Sequence, residues 1–293
     1  MGLFLLTDKD AMNTLLVADG LNLLHRGYFA TPEMTNSEGI PTNALKGLVN
    51  ILMADIKRVT ATHCAVVFDR PGKPTFRHKI YPEYKANRPH NGADLRPVLL
   101  PAKKLLNAMG IRVYGTPGIE GDDLIGSIAV RLSKSAKVFI SSNDKDFASL
   151  VNNRIHMLKP KGLVLDVEGV FNHWGVRPNQ MVDYLMMLGD SSDNIPGINK
   201  VGPKTAAKLL AEHGTLKAVC RDATLSSKMQ VNFDNARKHF ELTRKLITVD
   251  TSLVPNIKLS DTLFSGLQPE LRAICDDLNF NSTYTQILNT LGN

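Results

Sequence analysis

The chain alternates short runs of apolar and β-branched residues with segments of helical periodicity. Two of these runs, LLVAD at 15–19 and HCAVVFD at 63–69, end in aspartate, and residues 43–59 between them carry apolar side chains at the spacing of an amphipathic helix. The series continues with predicted strands at 111–115 and 137–142, separated by a helix over about 122–132. Such alternation is typical of parallel strands joined by crossover helices. We therefore predict an α/β fold with a central, mostly parallel sheet flanked by helices.

The pattern changes along the chain in a way that predicts two regions. Residues 1–177 carry the strand and helix alternation, whereas from about Pro178 the pattern becomes predominantly helical, so residues 178–293 are predicted to form a helical region. The stretch 70–97 is rich in Pro, Gly, Asn and Arg, has no clear period and is too long for an ordinary connection. We interpret it as a functional excursion from the first region.

The positive charge of the chain is local. The net charge is +7, and the segment from Arg70 to Lys104 holds nine Lys and Arg residues against two acids, Glu83 and Asp94, while the remaining residues balance. A local basic patch indicates a polyanionic partner, although a solvated loop is the alternative. No apolar run approaches the roughly 18 residues that span a bilayer. We expect no membrane partner and a cytoplasmic location, and the three cysteines suggest neither a disulfide framework nor a zinc site.

Nine acidic residues follow predicted strand ends or flank predicted helices. They are Asp19, Asp69, Glu120, Asp122, Asp123, Asp144, Asp146, Asp190 and Asp193. Taken singly, each could be a turn former or a helix cap. The repeated ExDD, DxD and DxxD pairs are not explained in that way, and carboxyl ends of parallel strands meet at one edge of a sheet. Gathered carboxylates repel one another unless cations intervene, so the pattern favours Mg²⁺ or Mn²⁺ and two-metal hydrolysis of a phosphodiester.

The basic excursion interleaves aromatic and cationic side chains. In FRHKIYPEYKANRP (76–89) the aromatic residues are Phe76, Tyr81 and Tyr84 and the cations include Arg77, Lys79, Lys85 and Arg88. Stacking faces beside phosphate-binding cations are typical of single-strand binding. The alternative is a mobile, solvated loop with incidental aromatics.

A glycine-bracketed turn precedes a predicted helix in IPGINKVGPKTAAKLL (195–210). Gly197 and Gly202 bracket the turn, and Pro203 opens the helix. A turn of this kind presents backbone N–H groups to a phosphate and resembles the hairpin of a helix-hairpin-helix, which binds duplex backbone. Two antiparallel helices joined by a plain glycine turn are the alternative. The spacing of the Lys-Thr pair excludes a P-loop.

Together these segments resemble one protein family. The combination of LLVADGLNLLHRGYFA, AVVFDRPGKPTFRH, YPEYKANRP, GIEGDDLIGSIA, SSNDKDFASLV and LMMLGDSSDNIPGINKVGPKTAAKLL resembles the 5′–3′ exonuclease and flap endonuclease family over roughly residues 14–250. That family includes the N-terminal domain of bacterial DNA polymerase I and free-standing bacteriophage 5′ nucleases. Gly121 and Asn143 depart from its common residues, but neither departure removes a carboxylate.

The resemblance implies a PIN-like 5′ nuclease fold, with a helical arch over about 76–100 and a helix-three-turn-helix over about 185–212. It also implies two Mg²⁺ or Mn²⁺ ions. By motif, Asp19, Asp69, Glu120, Asp122 and Asp123 would serve one ion, and Asp144, Asp146, Asp190 and Asp193 the other. Lys85 and Arg88 resemble the catalytic arch residues at the scissile phosphate, Tyr84 a stacking residue, and Arg26 and Arg77 further phosphate contacts. Gly197, Lys200, Gly202, Lys204 and Thr205 resemble the duplex-binding turn, often with a K⁺ ion.

The activity implied by the resemblance is structure-specific 5′ nuclease action that leaves 5′-phosphate and 3′-hydroxyl ends. Its substrates would be DNA with 5′ flaps, nicks or ends, including RNA primers on DNA, and we expect a monomer. No polymerase domain follows these segments before the chain ends at Asn293, so we expect a free-standing nuclease. The alternatives are a non-catalytic DNA-binding relative and a PIN-like ribonuclease.

Overall fold

The computed structural model describes residues 13–36, 38–70, 72–87, 94–253 and 256–292. A six-stranded sheet forms its centre, in the order β3-β2-β1-β4-β5-β6. Its strands are β1 (Thr14–Asp19), β2 (His63–Val67), β3 (Arg112–Tyr114), β4 (Lys137–Ser141), β5 (Ile155–Lys159) and β6 (Leu163–Leu165). The first five strands are parallel and β6 pairs antiparallel with β5. The predicted α/β fold with a mostly parallel sheet is confirmed.

The helices of the first region flank this sheet. They are α1 (Gly20–Ala30), α2 (Thr42–Val59), α3 (Phe76–Ile80), α4 (Arg96–Ala108), α5 (Gly121–Leu132) and α6 (Val167–Trp174). The four predicted strands and two predicted helices are present, with ends that differ by one or two residues. β2 ends at Val67, so Asp69 lies in the following loop rather than at the strand end. β5, β6, α1 and α6 were not predicted.

The chain after residue 178 is largely helical, as the pattern predicts. Its helices are α7 (Met181–Leu188), α8 (Pro203–His213), α9 (Leu216–Asp222), α10 (Ser227–Arg237), α11 (Phe240–Ile247), α12 (Leu271–Asp277) and α13 (Asn281–Leu291). A short ribbon of β7 (Gly189–Asp190) and β8 (Ile195–Pro196) lies between α7 and α8. Among the described residues, no helix has both the length and the apolar character needed to cross a membrane.

Burial on both faces of the sheet explains its apolar strands. Along β1, Leu15 and Val17 belong to one apolar cluster, which includes residues of α5 and of the helices after residue 178. Leu16 and Ala18 belong to the other cluster, with residues of α1, α2 and α4. Alternate side chains of a strand point to opposite faces, so both layers are anchored on the same strand. This sandwich leaves the carboxyl edge of the sheet for polar residues.

Candidate active site

The first group of carboxylates forms where β1 and β2 end. Asp19 closes β1 and caps α1 by accepting from the Asn22 N–H at 2.9 Å, and the Ser142 hydroxyl donates to its other oxygen at 3.0 Å. Asp69 accepts from the N–H of Gly121, which begins α5. The loop after β2 is thereby tied to the helix that carries Asp122. Sheet topology thus brings these three carboxylates to one edge, as their positions in the sequence predict.

The pKa shifts in this group follow from its burial and mutual repulsion. Burial, with the charges of Asp69 and Asp144 adding to it, raises the pKa of Asp19 to about 6. Burial also raises the pKa of Asp122, and repulsion from Asp144 and Asp19 acts in the same direction. Carboxylates that raise one another's pKa are close enough to interact and are not fully neutralised by nearby cations. The group therefore offers only oxygen atoms as possible metal ligands, and its negative charges repel one another.

A second group lies on the loops that follow β4 and α7. Asp144 caps a 3₁₀ turn by accepting from the Asp146 N–H at 2.9 Å, and Asp190 accepts from the Ser192 N–H at 2.8 Å. Burial and the charge of Asp144 raise the pKa of Asp146. Burial also opposes ionisation of Asp190, but the Lys145 ammonium outweighs it and lowers the pKa of Asp190. Asp144 acts on both groups, so they form one continuous acidic edge.

Lys145 is a site residue that the sequence reasoning missed. It lies between Asp144 and Asp146 in the sequence and its ammonium forms an ion pair with Asp190. The signal was present as the lysine inside the DKD triplet. Within the described ranges, no three His, Cys, Asp or Glu side chains stand in a preformed metal-ligand arrangement. Several of the predicted ligands instead accept from backbone N–H groups or lysines.

Tyr84 and Lys85 connect the two carboxylate groups. The Tyr84 hydroxyl lies 3.1 Å from Oε2 of Glu120 and 3.0 Å from Oδ2 of Asp193. The Lys85 ammonium lies 2.7 Å from Oε2 of Glu120 and 3.9 Å from Oδ2 of Asp193. Burial opposes ionisation of Glu120, but Lys85 and Arg77 outweigh it and hold its pKa at about 2. Glu120 is therefore an ionised partner of these two cations.

The structure corrects the role predicted for Tyr84. Its side chain is only 4% exposed, and its ring packs edge-on against His78 at 5.3 Å between centroids. A buried ring whose hydroxyl is directed to two carboxylates does not offer a free face to a nucleobase. Tyr84 is a bridge inside the site rather than a stacking platform in this structure.

The structure also corrects the roles predicted for Arg77 and Asp123. Arg77 is 3% exposed and Asp123 is 2% exposed, and they form a two-pronged ion pair with N–O distances of 2.7 and 2.8 Å. Arg77 therefore does not present its guanidinium to solvent for a phosphate. Asp123 lies next to Asp122 in sequence, but successive helical residues point about 100° apart. Its carboxylate faces Arg77.

Arg26 lies beside the acidic edge, on α1. Burial lowers the pKa of Arg26, and the charges of Asp55 and Asp19 partly oppose that shift. Its Nη1 atom is buried and has no hydrogen-bond partner among the described residues. Asp55, which the sequence reasoning did not single out, is buried and accepts from the Ser141 hydroxyl at 2.6 Å. Arg26 is thus close to the site but only partly open to it.

Arg88, the second predicted arch cation, lies outside the described residues. The described part of the excursion borders a cavity of about 470 Å³ beside the acidic edge. Its lining includes Asp69, Lys85 and Glu120, together with the apolar side chains of Leu21, Phe68 and Leu99. This concave, partly apolar cavity therefore borders the acidic edge at Asp69 and Glu120.

The glycine turn after α7 has the close backbone contacts its sequence implies. A Cβ at Gly197 would lie 2.3 Å from the Leu188 carbonyl carbon, so only glycine fits there. Gly202 caps α8, and nothing lies within 4 Å of where its Cβ would be. Lys200 adopts a left-handed conformation with φ of 63°, and both Lys200 and Lys204 are exposed, with Thr205 half-buried. The turn presents two cations at the start of a helix.

Comparisons with known proteins find relatives that match both regions of the chain. A family model described as the 5′-3′ exonuclease N-terminal resolvase-like domain matches residues 14–175, and one described as the 5′-3′ exonuclease C-terminal SAM fold matches residues 176–270. A 5′-3′ exonuclease of Aquifex aeolicus is 37% identical over 90% of this chain and 90% of the relative. A 5′-3′ exonuclease of Bacillus subtilis is 33% identical over 89% of this chain and 91% of the relative.

The fold is shared with a solved bacteriophage protein. The structure of the bacteriophage T5 D15 flap endonuclease in a complex with DNA and metal ions has a TM-score of 0.64 to this chain and 21% sequence identity. The match covers 96% of this chain and 100% of that one. At that identity the likeness establishes a common fold.

Proposed function

Because this chain belongs to the 5′–3′ exonuclease family, we propose that it is a structure-specific 5′ nuclease that hydrolyses DNA phosphodiesters at 5′ ends, nicks and flaps. The observation that carries the proposal is the acidic edge, where Asp19, Asp122 and Asp146 have raised pKa values and Lys85 stands across from Glu120. A carboxylate edge faced by a cation suits the reaction of a phosphodiester with water. The chain acts as a monomer in this proposal.

The donor chemistry of the edge fits divalent cations. Mg²⁺ and Mn²⁺ prefer carboxylate oxygens, and the raised pKa values of Asp19, Asp122 and Asp146 mark charges whose repulsion a cation would relieve. Asp19, Asp69 and Asp122 would hold one ion, and Asp144, Asp146, Asp190 and Asp193 the other. Glu120 and Asp123 would act around them, because Glu120 pairs with both Lys85 and Arg77 and both oxygens of Asp123 accept from the buried Arg77. When bound, such ions activate water and stabilise charge on phosphate oxygens.

The residues of the chain supply charge and orientation. Lys85 would offset charge on the scissile phosphate, with its backbone fixed by a 3.0 Å hydrogen bond from its N–H to the Asp193 carbonyl. Arg88, by motif, would contribute a second cation from the arch. Lys145 would neutralise Asp190 until substrate enters. Water is the attacking group in this proposal, so no side chain of the protein acts as a nucleophile.

The turn at 197–205 would grip the duplex next to the cleavage site. Its exposed Lys200 and Lys204 suit phosphate contacts that are independent of sequence. By resemblance to the family, backbone carbonyls of this turn would also hold a K⁺ ion. RNA primers paired with DNA would serve as alternative 5′ strands.

The test is a set of labelled flap, nicked, recessed and single-stranded substrates incubated with Mg²⁺, with Mn²⁺ and with chelator. We expect metal-dependent cleavage at the junction that leaves 5′-phosphate and 3′-hydroxyl ends. Asp144→Asn should abolish cleavage while leaving binding largely intact, and Asp276→Asn, an exposed carboxylate on α12, serves as the matched control. Cleavage of RNA in preference to DNA would point to a ribonuclease, and binding without cleavage would point to a non-catalytic relative.

A further inference from the structure

The ion pair of Arg77 and Asp123 joins three segments that are remote in sequence. Arg77 lies on α3 at the base of the excursion, and Asp123 lies on α5. Arg77 Nε donates to the Leu246 carbonyl at 2.8 Å and Nη2 donates to the Thr248 carbonyl at 2.9 Å. Oδ1 of Asp123 accepts from the Asp250 N–H at 2.8 Å. α3, α5 and the end of α11 therefore meet at one buried point.

This network uses most of the hydrogen-bonding capacity of the guanidinium. Besides its bonds to Asp123 and the two carbonyls, Nη1 of Arg77 lies 3.3 Å from Oε1 of Glu120, and the guanidinium stacks over the Phe76 ring at 4.6 Å. A phosphate contact would require these bonds to break in a site that is almost closed to water. Removing one partner of such a pair leaves an uncompensated buried charge, so the two residues act as a unit.

The position of the pair links the groups on which the proposed reaction depends. The chain leads from Arg77 through a short run of turns to Tyr84 and Lys85. On the other side, Asp123 follows Asp122 on α5. Because α3 is held against α5, the position of the Lys85 ammonium relative to the carboxylates is also held. Residues 246–250 comprise the end of α11 and the residues after it, and α11 is one of the helices that follow the predicted duplex-binding turn. The same buried point therefore also ties that helical region to α3 and α5.

We propose that Arg77 and Asp123 are positioning residues, which together set the placement of Lys85 against the acidic edge and join α3 to the helical region after residue 178. The proposal rests on the 5′ nuclease function proposed above. It gives Arg77 no contact with DNA and Asp123 no direct contact with a metal ion.

The experiment compares Arg77→Met, Arg77→Lys, Asp123→Asn and the double variant Arg77→Met/Asp123→Asn. Single-turnover cleavage of a 5′-flap substrate is measured in Mg²⁺, and binding is measured in Ca²⁺ over a range of salt concentrations. We expect Arg77→Met and Asp123→Asn each to slow single-turnover cleavage by about 100-fold, because small displacements of catalytic groups have effects of that size. The double variant should be no slower than the worse single variant, as expected for coupled residues. Arg77→Lys should recover part of the rate.

Binding separates this proposal from its alternatives. Arg77→Met should leave the slope of log affinity against log salt unchanged, whereas Lys204→Ala, at the exposed turn, should reduce its magnitude by about 0.9. A reduced slope and weaker binding in Arg77→Met, with an unchanged single-turnover rate, would show a phosphate contact instead. If high Mg²⁺ restored the cleavage rate of Asp123→Asn, Asp123 would be a metal ligand. Additive losses of cleavage rate in the double variant would likewise show that Asp123 acts independently of Arg77, as a metal ligand would.

Folding and the proposed function are controlled separately. Variants are compared only below their melting temperatures, and Arg77→Lys, which keeps the charge, carries the comparison if Arg77→Met does not fold. If the unaltered chain cleaves no DNA, the proposed function fails. In that case a double-mutant cycle on unfolding free energies still measures the coupling of the pair, and additive free energies would overturn the pairing itself.

Discussion

The ammonium of Lys85 lies 2.7 Å from Oε2 of Glu120, while the backbone N–H of the same lysine donates to the Asp193 carbonyl at 3.0 Å. Lys85 adopts a left-handed conformation with φ of 60°, which directs its backbone to one acidic group and its side chain to the other. One residue of the excursion therefore touches both halves of the acidic edge.

Replacing Lys85 with methionine should lower single-turnover cleavage by about 100-fold or more, the effect of removing one charge-stabilising group from an active site. Substrate binding should change less, because the turn at 197–205 remains. Lys134→Met, at an exposed position after α5, is the matched control. Cleavage at the unaltered rate in Lys85→Met would contradict the role assigned to this ammonium.

Removing the Tyr84 hydroxyl should weaken the connection between the two acidic groups. Tyr84→Phe keeps the buried ring but deprives Glu120 and Asp193 of a shared donor. We expect the free energy of unfolding to fall by about 1–2 kcal/mol, measured by urea denaturation. If stacking on DNA were the role of Tyr84, the phenylalanine variant would instead keep full stability and activity.

Asp146→Asn should stabilise the metal-free protein while it disables the enzyme. Burial and repulsion from Asp144 raise the pKa of Asp146, so its ionised form is unfavourable in the fold. We expect the free energy of unfolding in chelator to rise by about 1 kcal/mol. Addition of Mg²⁺ should raise the melting temperature of the unaltered chain more than that of the variant. An equal response to Mg²⁺ in both proteins would argue against Asp146 as a ligand.

The two glycines of the turn should differ in their tolerance of alanine. At Gly197 a Cβ would overlap the Leu188 carbonyl group at 2.3 Å, whereas nothing lies within 4 Å of the corresponding position at Gly202. Gly197→Ala should reduce the free energy of unfolding by about 1–3 kcal/mol, and Gly202→Ala should change it much less. Equal losses in the two variants would mean that the backbone contact at Gly197 is not limiting.

His156 should contribute a loss of stability as the pH drops below 6.5, whereas protonation of Asp19, Asp122 and Asp146, whose pKa values are raised, acts in the opposite direction. Burial, with the nearby charge of Lys137 adding to it, lowers the pKa of His156 from 6.5, and its Nδ1 atom is buried with no hydrogen-bond partner among the described residues. The unfolded chain then binds a proton more readily than the fold, so stability is lost from pH 6.5 downwards until the folded-state pKa is reached. Urea denaturation at several pH values should show that the free energy of unfolding of His156→Leu, relative to that of the unaltered chain, rises as the pH is lowered through this range. An identical pH dependence would exclude a contribution from this residue.

Local patterns in the sequence were enough to predict the framework of the fold. The apolar runs that became β1, β2 and β4 are buried on both faces, which makes them continuous and easy to recognise. β5 and β6 were missed because their signals are weaker. β6 is a three-residue antiparallel strand at the sheet edge, and two of its residues, Leu163 and Val164, are 47% and 39% exposed.

The sequence by itself determined that many carboxylates follow strand and helix ends and that a basic, aromatic excursion stands among them, because both are local properties of residue type and order. It could not determine partners. Arg77 and Tyr84 look alike in the sequence to exposed binding residues, and only the tertiary structure directs the first to Asp123 and to carbonyls 169 and 171 residues away and buries the second between Glu120 and Asp193. Burial and pairing of long polar side chains depend on which distant segments pack around them, and this is a property of the assembled fold rather than of any local pattern.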